Sequence, residues 1–252
     1  MGPAPQSARS AAAPAAQGPS SFPPLPASDP RFKIPFGQTL VYRAEWRVFN
    51  AGTATLRIDR AGQEARVVGT ANATGSVAVL YPVHDVFESF LDPATFCSHT
   101  ISKRAQEGTR HVDTNITFNY QHGKAVLDQK NIKKNETRHE EHDIPACVTD
   151  VVSAIYHVGA LPLQTGKTYS FPLNDGGNTV TVDLHVEARE QIKVPAGTYN
   201  AVRVHPEASS GVLKEKGKMW LWYSDDTAHI PLQMRARMLW GTVTLTLERI
   251  DR

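Results

Sequence analysis

Four sets of residues in this chain are of types that can do chemistry. His139-Glu140-Glu141-His142, with Cys147 five residues on, is the set most like a metal site. Helical zinc sites place two histidines at i and i+4 around a glutamate that acts as base. Here the interval is three, and Ile144-Pro145 argues against a helix. On a strand the two histidines point to opposite faces. Their neighbours Lys133, Lys134, Glu136, Arg138 and Asp143 read as a solvated edge or loop. Two or three ligands fall short of the four that a structural zinc needs, so no metal site is expected.

Cys97 and Cys147 form the second set, and neither belongs to a Cys-x-x-Cys redox motif. In an exported protein they would bridge, closing a loop of about fifty residues and stabilising the fold by ~3–4 kcal/mol. In a reducing compartment they would be two unrelated thiols.

Carboxylates make the third set. Asp85 and Glu88 flank Phe87, and Asp225-Asp226 stands between two strand-like runs. The latter pair reads first as a hairpin turn, in which Asp side chains cap local N–H groups. General acid/base work would require two such acids in one pocket. Nucleophilic catalysis has no anchor, because there is no Gly-x-Ser-x-Gly elbow and no Ser-x-x-Lys. Gly176-Gly177 precedes a strand rather than a helix and is therefore no phosphate loop. No cofactor is implied.

The fourth set is aromatic and basic. From Lys214 to Tyr223 one face carries Lys216, Lys218, Trp220 and Trp222, and the other carries Met219, Leu221 and Tyr223. The next run separates Leu232, Met234, Ala236 and Met238 from Gln233, Arg235 and Arg237. Paired as a hairpin, the Met/Leu faces make core, and Trp220/Trp222 stack with Arg235/Arg237. That is either a cross-strand cation–π ladder or a surface for an anionic lipid headgroup, glycan or partner.

Elements that position these sets follow a period of two. In Leu40–Val48 the even positions are apolar, with Arg43, Glu45 and Arg47 opposite, the pattern of a half-buried strand. Asn50–Thr53 reads as a turn, with Ala54–Ile58 returning. Further strand candidates are 65–74, 100–104, 112–120, 125–131, 180–188, 191–194, 199–205, 217–223, 232–239 and 242–250, giving about eleven strands in antiparallel hairpins. One segment has helical period: Val152, Ile155, Tyr156 and Gly159 follow an N-cap at Thr149 or Asp150, and Pro162 ends it. Ser76–Tyr81 is a shorter helix candidate. Ala-Gly-Thr recurs at 51–53 and 196–198, read as two similar hairpin turns. The fold class is mostly β: a curved antiparallel sheet or open barrel with one short helix packed on or in it.

The chain has 252 residues, 27 Lys+Arg against 25 Asp+Glu, and a formal charge of +2. That balance argues against a nucleic-acid binder. The apolar fraction of 40% is enough for a core. Positions 1–30 hold 8 Ala, 8 Pro and 5 Ser with two charges, a composition that cannot offset its ordering entropy. Residues 1–31 are therefore read as a disordered tether and 32–252 as a single β-rich domain. No signal peptide is visible, and the apolar window 146–163 contains Asp150 and His157, so no transmembrane span is expected. The tether has the composition of a spacer that follows a cleaved signal or lipid anchor, which leads to the expectation of a precursor starting upstream.

Several stretches in order resemble one family. They are Gly37–Tyr42 with Asn50–Ala54, Tyr81–Asp85 with Phe87–Pro93, and Asp150–Tyr156 with Leu161–Leu163 and Gly166–Tyr169. Asp175–Gly177, Val194–Tyr199, and Leu221–Asp226 with Ile230-Pro231 complete the set. From about Phe36 to Asp251 the chain resembles the bacterial domain-of-unknown-function family 3108. The resemblance implies an exported protein of the periplasm or cell envelope with a mostly antiparallel β fold, and it brings no catalytic residues.

The expectation is an uncharacterised, non-enzymatic envelope protein that binds an apolar or amphipathic ligand such as a lipid, or an envelope protein partner. Trp46 with Tyr42 are the first candidate ligand-binding residues, with Trp220 and Trp222 second. The alternative is an enzyme acting on an envelope glycan or lipid through acids such as Asp85, Glu88 or Asp226. A third reading is a structural module that presents the tether.

Overall fold

Period-two alternation organises almost the whole chain into one sheet. The structure, a computed structural model, describes residues 22–47, 49–208, 218–238 and 241–251. Residues 1–21 of the leader, Lys216 and Leu239 lie outside the described residues. The strands are β1 (Thr39–Trp46), β2 (Phe49–Ala61), β3 (Glu64–Ala73), β4 (Val83–Leu91), β5 (Ser98–Glu107), β6 (Arg110–Asn119), β7 (Lys124–Asn131) and β8 (Glu136–Asp143). They continue as β9 (Thr149–Asp150), β10 (Thr168–Asn174), β11 (Thr179–Val194), β12 (Gly197–Ala208), β13 (Lys218–Ser224), β14 (Pro231–Met238) and β15 (Gly241–Asp251). Helix α1 (Gly75–Leu80) joins β3 to β4, and α2 (Val151–Ala160) follows β9.

The sheet is fifteen strands wide in the order β8-β7-β6-β5-β4-β3-β2-β1-β15-β14-β13-β12-β11-β10-β9. The chain thus begins in the middle at β1, meanders to one edge at β8, crosses to the other at β9, and returns to pair β15 with β1. All pairings are antiparallel except β9 with β10. The sheet does not close, since β8 and β9 are both edges.

Helix α2 fills the concavity. Val152, Tyr156 and Ala160 pack into the core of Leu40, Tyr42, Leu56, Ile58 and Val67 on one side. Ala154, Val158 and Leu161 pack into that of Phe171, Val182, Leu184, Val204 and Tyr223 on the other. The sequence reading assigned the helix one apolar stripe; between two halves of a curled sheet it buries two. Asp150 is the N-cap, its Oδ1 accepting from the Val152 and Ser153 N–H groups at 3.0 Å each. Its Oδ2 accepts from the hydroxyls of Ser89 (2.5 Å), Ser98 (2.6 Å) and Ser153 (2.7 Å). A carboxylate with no exposure thereby has all its lone pairs occupied. Beside it, Cys97 and Cys147 are joined in a disulfide.

Several sequence expectations are refined. β4, β8 and β10 were not among the strand candidates. β4 carries Asp85 and Glu88, β8 is almost wholly charged, and β10 contains Pro172, so none shows a clean alternation of strand formers. The 180–188 and 191–194 segments form one strand, interrupted by a bulge between Val186 and Ala188. The turn placed at Asn50–Thr53 lies earlier, at Arg47, whose φ is +57°. Gly52 sits inside β2, where a Cβ would lie 2.0 Å from the Asn72 carbonyl oxygen. Gly197 instead opens β12 directly after a turn, so the two Ala-Gly-Thr sequences are not equivalent. Packing also starts upstream of Phe32. Leu25 joins both cores, Asp29 N–H donates to Ala160 O (2.7 Å), and His157 Nε2–H donates to Pro26 O (3.1 Å).

Candidate functional site

Register places three rows of side chains across β1, β15, β14 and β13, on the face opposite α2. The first row is Arg43, Thr246, Gln233 and Trp222, continuing to Arg203 on β12. The second is Glu45, Thr244, Arg235 and Trp220. The third runs from Arg47, whose N–H donates to Thr242 O at 2.7 Å, through Thr242 and Arg237 to Lys218. Because strand side chains alternate, each row shares its face with the others while Tyr42, Leu245, Met234 and Leu221 face the core.

The hairpin of β11 and β12 turns this surface into a groove. Past its bulge the hairpin reaches beyond β13, and Ala196 N–H donates to Leu247 O on β15 at 3.1 Å. Lys193, Pro195 and Glu187 form that wall, and the open groove has a volume of about 1030 Å³. Six cations line the groove, Arg43, Arg47, Lys193, Arg203, Arg235 and Arg237, against Glu45 and Glu187. Arg203 is committed to Glu187 (2.7 Å) and Glu190 (3.0 Å). Among the described residues Arg43, Lys193, Arg235 and Arg237 make no ion pair. An excess of cations in a walled groove raises the local concentration of anions.

The two tryptophans of the groove are held rather than loose. Trp222 donates its Nε1–H to Glu190 Oε1 at 2.7 Å and carries the Arg235 guanidinium 5.3 Å from its ring centroid. Trp220 stacks on His205, with centroids 5.3 Å apart and planes inclined by 22°. Of the Trp/Arg stacking expected from the sequence, the β13–β14 hairpin and the Arg235–Trp222 contact are present, Trp220 stacks on His205 instead, and the further partners are Arg43, Lys193, Arg203 and Glu190. Their strands are brought in by the β1–β15 pairing and the β11 bulge, neither of which has a local sequence signal.

Tyr42 and Trp46 share the other face of β1. Tyr42 is buried, its hydroxyl donating to Pro231 O at 2.7 Å, and burial among Tyr156 and Tyr223 pushes its pKa well above the usual phenol value. It does not reach the groove. Trp46 is half-buried at the end of β1 under the Arg47 guanidinium (5.4 Å), packed so tightly that a Cβ on Gly241 would lie 2.7 Å from its Nε1.

The carboxylates do not converge. Asp85 is buried on β4, where burial raises its pKa; it accepts from Gln106 N–H (3.0 Å) and pairs with Lys103 (3.5 Å). Glu88 pairs with Arg66 at 2.5 Å. Asp226 caps the β13–β14 turn, accepting from Ser224, Ala228 and His229. In β8, His139 bonds Asp128 and His142 bonds Glu140, and no group of three or more metal-ligating side chains occurs among the described residues. No helix among those residues is long and apolar enough to cross a membrane.

A family model described as a protein of unknown function, DUF3108, matches residues 41–248. The chain belongs to this family. The DUF3108 match includes every residue that lines the groove. No curated protein matches the chain. Among solved structures, the β-barrel-like protein of domain family DUF1849 from Brucella abortus superposes with a TM-score of 0.60 at 9% identity, covering 85% of this chain and 96% of that one. The likeness is one of fold. A protein described as exported, with a YmcC-like fold, from Bacteroides fragilis covers 90% of this chain and all of its own at 10% identity, with a TM-score of 0.33. One described as a lipoprotein from Parabacteroides distasonis covers 89% and 99% at 9% identity, again with 0.33.

Proposed function

We propose that this DUF3108 domain is a non-enzymatic binding module of the bacterial envelope, and that its ligand is an anionic amphipathic molecule held in the groove. The observation that carries the reading is the set of cations without carboxylate partners beside two fixed indole rings. The arginines meet the anionic group, with planar bidentate donors suited to phosphate or carboxylate. Trp220, half-buried, offers flat apolar surface to the rest of the molecule, and the buried Trp222 backs the groove floor and orients Arg235. Because α2 occupies the apolar concavity, the ligand site moves to the opposite face, away from Tyr42. The disulfide supports an oxidising compartment, where such bridges persist.

Titration with dihexanoyl phosphatidylglycerol below its micelle concentration, followed by tryptophan fluorescence, tests this. Saturable binding is expected, weakened at least ~10-fold by Arg235→Gln with Arg237→Gln, and falling as salt rises. Tyr42→Phe should leave it unchanged. Equal binding of the phosphatidylcholine analogue, or indifference to the arginine substitutions, overturns the reading.

A further inference from the structure

Beyond the ligand of the groove, we propose that the rim at which the groove ends is a docking surface for an anionic lipid bilayer. Among the described residues six large hydrophobic side chains are exposed, and four of them lie at this end of the strands: Phe49 (62% exposed), Val79 (83%), Leu80 (85%) and Tyr81 (54%). They are tied together locally. Thr74 N–H donates to Ala51 O at 3.0 Å, holding the α1 connection against the start of β2. Tyr81 lies over the β5–β6 turn, where a Cβ on Gly108 would come within 2.8 Å of its ring.

Helix α1 has no role in the core, since none of its residues is buried. A connection between adjacent antiparallel strands needs a few polar or turn-forming residues. This one spends Val77, Val79, Leu80 and Tyr81 there instead. Protruding apolar tips of this kind suit insertion into the headgroup–acyl boundary, and few of them hold a protein there without charge attraction.

Charge selects the occupant. Arg47 forms the turn between β1 and β2, immediately before the described Phe49, and the row beside it continues to Arg237 and Lys218 at the same strand ends. Glu107, at the end of β5 beside the β5–β6 turn, is occupied by Arg110 (3.0 Å) and Lys103 (3.5 Å). Apolar tips flanked by cations match an anionic membrane surface, each basic residue adding attraction within a Debye length. The same row of cations is the end of the groove, so a docked bilayer would face the groove's mouth.

The test is co-sedimentation of the full chain with vesicles of equal parts phosphatidylglycerol and phosphatidylcholine, compared with phosphatidylcholine alone. Binding to the anionic vesicles is expected, and Phe49→Ser with Leu80→Glu should lower partitioning at least ~10-fold. Should that pair shift the thermal midpoint, Leu80→Ser alone carries the test, because its side chain is 85% exposed. Val151→Ser, at an exposed apolar position away from this rim, should partition like the unsubstituted protein. Arg235→Gln, inside the groove, should lose soluble dihexanoyl phosphatidylglycerol while keeping vesicle binding within about twofold, which separates failure of this surface from failure of the groove. Absence of binding to anionic vesicles, equal binding to phosphatidylcholine vesicles, or indifference to the rim substitutions overturns the proposal.

Discussion

His157 shows how one side chain couples the leader to the core. Its ring lies 5.5 Å from that of Phe96 and 5.3 Å from that of Phe171, and Nε2–H donates to Pro26 O. Burial holds its pKa down at about 4. An unfolded histidine titrates near 6.5, so between pH 6.5 and 4 the unfolded chain binds a proton that the folded one refuses. The stability contributed by the neutral ring is complete above pH 6.5 and is lost as pH falls towards 4, in total about 3 kcal/mol. Urea midpoints of the unsubstituted protein should fall across that window, and His157→Gln should flatten the fall; parallel pH profiles would contradict this. At this scale the sequence is legible where partners are close along the chain. A cap at Thr149 or Asp150 follows from their place before Val152 and Ile155, and the structure selects Asp150. Its bonds to Ser89 and Ser98, 61 and 52 residues away, do not follow, because only the curled sheet brings those strands to the helix.

Among the elements, α2 and the segment leading into it hold the two halves of the sheet together. Ser98 N–H donates to Val148 O (2.9 Å) and Tyr120 donates to Ser98 O (2.6 Å), so the connection after β8 is laced to the start of β5 just where the disulfide ties it. The bridge spans 50 residues. Loop-closure entropy then assigns it stabilisation of ~3–4 kcal/mol, at the upper end of that range. Cys97→Ser with Cys147→Ser should lower the unfolding free energy by about that amount, read by urea denaturation, with a slope that rises as the uncrosslinked denatured chain exposes more surface. A loss well under 1 kcal/mol would mean that the hydrogen bonds around Asp150 alone keep this connection in place. Element types were readable wherever alternation was clean, as in β1, β7 and β11. They were not readable in β10, whose Pro172 masks a strand, nor in the bulge that lets β11 and β12 wall the groove.

For the whole molecule, an open sheet of fifteen strands has two edges that must not pair with other chains. They are managed differently. β9 has two residues, both buried against β10. β8 is eight residues long and mostly exposed, and its sequence Glu-Thr-Arg-His-Glu-Glu-His-Asp has seven ionisable side chains. Arg138, Glu140 and His142 alternate along it and pair with one another. Exposed pairs of this type add little stability. Their value lies in making a long, exposed edge unfit for a second strand. Charge density announced a solvated segment in the sequence, but strand pairing with β7 could not be read because β8 has no apolar face to alternate. Replacing Arg138, Glu140 and His142 by Thr, Val and Thr should leave the thermal midpoint nearly unmoved and produce concentration-dependent self-association in sedimentation velocity. A variant that stays at the sedimentation coefficient of the parent across the same series would show that the charges of β8 are not what keeps this edge unpaired.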